Sequence, residues 1–257
     1  MIRKVSVVTP IHNEAENIPE LVERIAATME AWRAERDGRD WEHLACDDHS
    51  SDPSLELLQE LAAKYPRLRP VRNPVRSGQT GGFQTGFAHA SGDTIVTMDA
   101  DLQNFPEDIP KLLAPLDEGR LDLTNAIRMR RQHALGLIAI SRLGNLLIRF
   151  LMTCPVKDAA SNFTALPAQL ARGLKLLEND HRYVIPILVR RGLDPKRIGD
   201  VETRHAPRKH GASKYKALRK ALTGVPELLR CKKRLRAGFY DLKEAAAAAR
   251  PAGAAGA

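Results

Sequence analysis

The run Gly92-Asp93-Thr94-Ile95-Val96-Thr97-Met98-Asp99-Ala100-Asp101-Leu102-Gln103 decides how this chain is read. Residues 94–98 are β-branched or apolar, as in a buried strand, and the strand stops at Asp99. Two carboxylates spaced by one residue at a strand end can hold a hard divalent cation through oxygen. Such a cation neutralises a diphosphate and stabilises it as a leaving group. Asp-x-Asp alone is a common pattern that also occurs in solvated turns. Its place behind a strand and ahead of Leu102-Gln103-Asn104-Phe105-Pro106 gives it weight.

Upstream, Val5–Pro10 has the same strand character, and Trp41–Cys46 is a second short strand ending in Asp47-Asp48. Between them, Ile18, Leu21, Val22, Ile25 and Met29 carry helical spacing over about 13–35. Ser51 or Asp52 is placed to cap a helix with Pro53 in its first turn and Leu55, Leu58 and Leu61 along it. Arg69–Arg72 predicts a third strand, Gly81–Ala90 a helix, and Leu121–Ile127 a fifth strand after the one ending at Asp99. Strands alternating with helices at this rate predict a parallel sheet covered on both faces. Ligands of such sheets sit beyond the carboxyl ends of the strands. Pro10, Asp47-Asp48, Arg72-Asn73 and Asp99 all fall at those ends, and their convergence is the functional signal.

The 257 residues suffice for one large α/β domain with a tail, at 43% hydrophobic and 28% charged. Three dispersed cysteines, Cys46, Cys154 and Cys231, suggest neither a zinc site nor a disulfide framework and favour a reducing compartment. No apolar run has the length to cross a bilayer, and the N-terminal residues lack signal-peptide character. The net charge of +9 is concentrated. Arg204–Arg236 holds twelve Lys/Arg against Glu227 alone, a local +11 that leaves about −2 elsewhere. A block of this kind points to an anionic partner: substrate phosphates, an anionic membrane surface, or nucleic acid. Nucleic acid is disfavoured, because Tyr215 is thin support for base stacking.

Further clusters carry chemistry. Asp47-Asp48 can accept from a nucleotide's base or ribose. Gly78-Gln79-Thr80-Gly81-Gly82 opens a helix, which suits either approach by an anion or close packing on the sheet. It matches neither the dinucleotide fingerprint nor the P-loop. His205–Tyr215 contains Arg208, Ser213 and Lys214, a phosphate-binding set. Leu135–Met152 is apolar with a polar stripe at Arg142, Asn145 and Arg149, fitting burial or a membrane interface.

Taken together, Thr9-Pro10-Ile11-His12-Asn13-Glu14, Asp47-Asp48, the Gly78–Gly86 turn and Asp99-Ala100-Asp101-Leu102-Gln103 resemble inverting glycosyltransferase family 2, whose fold is called GT-A. Within it the chain is similar to the polyprenyl-phosphate group, on Asp101-Leu102-Gln103-Asn104 with Pro106, Arg128 with Arg131, Lys157-Asp158, and Gly211-x-Ser213-Lys214-Tyr215. His49 stands where that family usually has Gly. The resemblance implies a GT-A Rossmann-like, mostly parallel α/β domain over 1–213. A basic amphipathic, membrane-docking segment over 214–240 and a disordered tail over 241–257 follow, and Gly224 and Pro226 are expected to break the former near its middle.

The resemblance also implies residue roles. Pro10, Asn13, Glu14, Asp47, Asp48, Gly78, Asp99, Ala100 and Arg131 would bind the nucleotide-sugar donor. Asp99, Asp101 and Gln103 would hold Mg²⁺ or Mn²⁺. Arg204, Arg208, Ser213 and Lys214 would bind phosphates of donor and acceptor, and Asp101, Arg128 and Asp158 would serve catalysis. The expected reaction moves a sugar from a UDP- or GDP-sugar to a polyprenyl phosphate, by a peripheral protein on the cytoplasmic face of the inner membrane. A homo-oligomer is left open.

Hydroxyl-acceptor relatives use a Glu-Asp pair, and the nearest candidate here, Glu178-Asn179-Asp180-His181, is split. The alternative is a family 2 enzyme that glycosylates a saccharide or another hydroxyl. A nucleotidyltransferase is disfavoured by the lack of an early Gly-rich phosphate loop bearing Lys or Arg.

Overall fold

The computed structural model describes residues 1–128, 146–159, 161–207 and 217–241. Seven strands form one sheet in the order β3-β2-β1-β4-β6-β5-β7. They are β1 (Lys4–Ile11), β2 (Asp40–Asp47), β3 (Leu68–Arg72), β4 (Thr94–Thr97), β5 (Leu123–Arg128), β6 (Thr164–Pro167) and β7 (Ile198–Thr203). All described pairings are parallel except those that β6 makes with β4 and β5. The mostly parallel α/β sheet expected from the sequence is the observed one. β6 and β7 are additions that the apolar pattern did not reveal.

The central strands β1 and β4 are almost wholly buried, because both faces of the sheet are covered. Successive residues point to opposite faces. Val5, Val7, Ala45 and Val96 enter one core with the apolar face of α1 (Ile18–Ala34), Leu58 of α2 (Ser54–Lys64), and Ile109, Leu112 and Leu113 of α4 (Ile109–Asp117). Val8, Leu44, Cys46 and Ile95 enter the other, with Phe83 and Phe87 of α3 (Gly78–His89).

That second core also receives Leu147, Ile148 and Leu151 of a helix described over 146–152 (α5), and Ala168 and Ala171 of the single turn α6 (Ala168–Ala171). Ile185, Ile187 and Leu188 of α7 (Val184–Arg190) and Leu228 of α8 (Ala217–Arg236) complete it. Leu146 and Phe150 of α5 face outward, so this segment is half buried rather than wholly so.

Two local expectations differ. Pro53, not Ser51 or Asp52, is the N-cap residue of α2, which begins at Ser54. The Asp52 carboxylate still accepts the first helical N–H, that of Ser54, and also that of Ala15, both at 3.1 Å, and so ties the loop after β1 to the loop after β2. Gly224 and Pro226 do not break α8, which runs from Ala217 to Arg236. Tertiary anchors hold the helix just beyond the proline. Glu227 accepts from Asn179 Nδ2 (3.0 Å) and Arg182 (3.2 Å), and Arg234 pairs with Asp180. These offset the hydrogen bond that proline removes. Among the described residues no helix is long and apolar enough to cross a membrane. The tail from 242 onward lies outside them.

Candidate active site

β1 lies between β2 and β4, and the strand order reverses there, which opens a crevice beyond the carboxyl ends. Three loops meet at this edge. Each contains a non-glycine residue with left-handed backbone: Asn13 (φ 56°) after β1, His49 (φ 58°) after β2 and Leu102 (φ 58°) after β4. Each costs roughly 1–2 kcal/mol, and such strain is characteristic of functional loops.

The loops hold one another. Asn13 donates its backbone N–H to Ser50 Oγ (3.0 Å) and its Nδ2 to Ser51 Oγ (3.1 Å), while its Oδ1 accepts from the Ser51 N–H (2.9 Å). Glu14 accepts from Asn17 Nδ2 at 2.6 Å. Asp47 and Asp48 are both buried. Asp47 accepts from the Ser50 N–H at 3.2 Å and lies 3.6 Å from Arg72. Asp48 receives the backbone N–H groups of Ser77 and Gly78, both at 2.7 Å, and Asn73 Nδ2 at 2.9 Å. The anion at the entrance of α3 is therefore the protein's own Asp48. The glycines behind it serve close packing: a Cβ on Gly86 would come within 2.1 Å of Val8, and one on Gly82 within 2.7 Å of Pro10.

Beyond β4, Asp99 is half-buried, while Ala100 and Asp101 are buried. Asp99 Oδ1 accepts from Gln79 Nε2 (2.5 Å) and Asn162 Nδ2 (3.1 Å). Asp101 Oδ1 accepts from the Gln103 N–H at 3.2 Å, closing a turn around Leu102. Gln103 donates its Nε2 to the Ala206 carbonyl (3.3 Å), and Asn104 bridges His205. The chain after β7 thus leaves toward the basic segment from a point fixed on the Asp99–Gln103 loop. Among the described residues no three His, Cys, Asp or Glu side chains gather into a self-sufficient metal site. Asp99, Asp101 and Gln103 each offer side-chain oxygen, the ligand chemistry that could hold Mg²⁺ or Mn²⁺ together with diphosphate oxygens and water.

Arg128 ends β5, directly opposite Thr203 of β7. Asp158 is buried, and its carbonyl accepts from Asn125 Nδ2 (3.1 Å) and the Ser161 N–H (3.1 Å). Arg204 is bound to Asp108 through its backbone N–H (2.8 Å) and guanidinium (3.0 Å), and lies over the Phe105 ring. Burial opposes ionisation of Asp108, yet hydrogen bonds from Arg204 and Lys111 hold its carboxyl below the usual range. Arg131, Arg208, Ser213 and Lys214 lie outside the described residues. Gln79 and Asn162 were not foreseen. Gln79 sat inside the quoted glycine turn, whereas nothing local marked Asn162.

Asp180, the split acid of 178–181, is fully buried. It accepts from Tyr240 Oη (2.6 Å) and the Leu177 N–H (2.8 Å), and pairs with Arg234.

A largely parallel sheet with acids gathered beyond β1, β2 and β4 at the switch point is an architecture of the GT-A class. Residues 6–166 match the profile of Glycosyl transferase family 2, and the chain belongs to that family. It is 37% identical over 222 residues to undecaprenyl-phosphate 4-deoxy-4-formamido-L-arabinose transferase of Salmonella paratyphi A, a match over 85% of this chain and 64% of that relative. The fold is shared with Mycobacterium tuberculosis glucosyl-3-phosphoglycerate synthase bound to Mn²⁺ and UDP-glucose, at TM-score 0.64 and 21% identity over 90% of this chain and 79% of the other. Its complex with phosphoglyceric acid aligns at TM-score 0.63 and 22% identity, covering 88% and 80% of the two chains.

Proposed function

We propose that this chain transfers a sugar from a UDP- or GDP-sugar to a polyprenyl phosphate such as undecaprenyl phosphate, with inversion at the anomeric carbon and with Mg²⁺ or Mn²⁺. The observation that carries the acceptor assignment is the state of Asp180. A hydroxyl acceptor needs a base to remove its proton. Asp180 is the acid nearest to the required pattern, and its carboxylate is spent on Arg234, Tyr240 and a backbone N–H inside the fold. A phosphate acceptor is already ionised and needs no such base. The 37% identity to an undecaprenyl-phosphate sugar transferase supports the same reading.

In this mechanism an acceptor phosphate oxygen attacks the anomeric carbon from the side opposite the nucleotide. The bond from that carbon to the diphosphate oxygen breaks, and the electron pair leaves with the diphosphate. A divalent cation supplies charge neutralisation to that leaving group. Asp99, Asp101 and Gln103 would hold it, and Pro10, Asn13, Glu14, Asp47 and Asp48 would form the donor side. Arg128 and Arg131, with Arg204, Arg208, Ser213 and Lys214, would set the phosphates of donor and acceptor, and Asp158 would serve the acceptor side. Arg204 can take this part only by sharing its guanidinium with Asp108.

The lipid acceptor requires access to a membrane, and we place the chain peripherally on the cytoplasmic face of the inner membrane. Val225 and Leu229 of α8 are 45% and 52% exposed, and Phe150 of α5 is 83% exposed, with Arg230, Lys233 and Arg236 exposed on α8. Apolar side chains rimmed by cations suit an anionic lipid surface.

The test is incubation with UDP- and GDP-sugars, Mn²⁺ or Mg²⁺ and undecaprenyl phosphate, following lipid-linked sugar. Asp101→Ala is expected to abolish turnover, and full activity in it would refute the metal assignment. Glycosylation of a free saccharide with the lipid inert would overturn the acceptor.

A further inference from the structure

Asp99 is gripped from two elements far apart in sequence. Gln79 Nε2 reaches its Oδ1 at 2.5 Å from the first turn of α3. Asn162 Nδ2 reaches the same oxygen at 3.1 Å and Oδ2 at 3.4 Å from the residues leading into β6. Neither donor is there by chance of a loop. The entrance of α3 is fixed by Asp48, which takes the Ser77 and Gly78 N–H groups at 2.7 Å, and by the packing of Gly82 on Pro10. Asn162 is placed by strand register. β4 and β6 pair antiparallel with Thr97 opposite Thr164, and continuing that register two residues sets Asp99 opposite Asn162.

We propose that Gln79 and Asn162 are positioning residues that fix the carboxylate plane of Asp99 for the cation and donor diphosphate. This rests on the reading of Asp99 and Asp101 as the metal-binding pair. Hydrogen bonds to an ionised carboxylate are strong and directional. Two of them on one oxygen, from independently anchored elements, stop the carboxylate from rotating. The choice of amides matters chemically. A Lys or Arg would also hold Asp99 but would cancel the charge that a cation needs. Gln79 and Asn162 are neutral, so they orient the group without themselves cancelling its charge. Supporting partners behind a ligand typically contribute about 10- to 100-fold in metal affinity.

The test uses calorimetric titration of UDP and of GDP into the full chain, once with Mn²⁺ and once with EDTA. The variants are Gln79→Met, Asn162→Leu, the double variant and Asp101→Ala, each with its melting temperature. Gln79 is exposed and Asn162 half-buried, so the singles are expected to fold as the parent does. Each single should weaken Mn²⁺-dependent nucleotide binding by about ten-fold, and the double by more. Binding in EDTA and the melting temperature should stay at the parent values. If Asp101→Ala removes the Mn²⁺-dependent part while the amide variants keep it, the positioning role is overturned and the metal reading stands. Equal losses with and without Mn²⁺ would make the amides merely structural and also overturn the proposal. If Asp101→Ala keeps Mn²⁺-dependent binding, the metal reading fails and the positioning role with it.

Discussion

Asp180 and Asp99 carry the same side chain in opposite circumstances. Asp180 has no exposure and is occupied by Arg234, Tyr240 and the Leu177 N–H. Asp99 stands half-buried at the cleft and accepts from the side-chain amides of Gln79 and Asn162. Asp180→Asn should therefore cost stability on the order of 3 kcal/mol, because it strands Arg234 beside a group that no longer balances it. Urea unfolding measures this. A variant with parental stability and no turnover would instead mark Asp180 as a catalytic base. His49 offers a second residue-scale test. Its φ of 58° is what glycine adopts freely, and its ring is exposed. Relief of left-handed strain outweighs the extra freedom glycine has when unfolded. His49→Gly should raise stability by about 0.5–1 kcal/mol, and a loss would show that the ring makes a contact of its own.

At the scale of elements, β2 carries a buried titratable group that makes the sheet acid-sensitive. His43 is buried with a ring nitrogen 2.8 Å from Thr9 Oγ1. Burial lowers its pKa from 6.5 to about 3. Between those values the unfolded chain binds a proton that the folded chain refuses, so stability falls as pH drops below about 6.5. The slope from this group approaches about 1.4 kcal/mol per pH unit. Chemical unfolding between pH 7 and pH 5 should show it, and His43→Gln should flatten the curve; a flat parental curve would refute a neutral His43. The elements themselves were unequally legible in the sequence. β1, β2 and β4 announce themselves because burial on both faces favours short apolar and β-branched runs, and those of β2 and β4 lead into Asp47-Asp48 and Asp99. β6 and β7 do not: Thr164–Pro167 is four residues long, and Ile198–Thr203 alternates with Gly199, Asp200 and Glu202 at an edge. The same gap hid Asn162, whose partner is 63 residues away and set by register alone. Pro226 misled in the other direction, since anchors at Glu227 and Arg234 lie in tertiary structure, which local spacing does not encode.

For the whole molecule, charge and apolar exposure decide where it works. The +11 of Arg204–Arg236 against about −2 elsewhere makes the protein electrically polar. α8 is moored to the domain by Glu227 and Arg234, so force on its outer face is borne by the catalytic fold. With Val225 and Leu229 exposed on α8, and Phe150 exposed on α5, binding to vesicles rich in phosphatidylglycerol should exceed binding to purely zwitterionic ones. Each cation at such a surface contributes about 1 kcal/mol. Lys233→Gln with Arg236→Gln should then weaken vesicle partition by roughly thirty-fold. Salt near 1 M, where the screening length is about 3 Å, should do the same to the parent. Leu229→Asp tests the apolar share, and should reduce partition even at low salt. Sedimentation with vesicles measures all three, and Mn²⁺-dependent nucleotide binding should remain at parental strength because no changed residue touches the strand-end acids. Equal partition to neutral and anionic vesicles, unmoved by salt, would remove the electrostatic role of α8 and leave the basic block to the substrate phosphates alone.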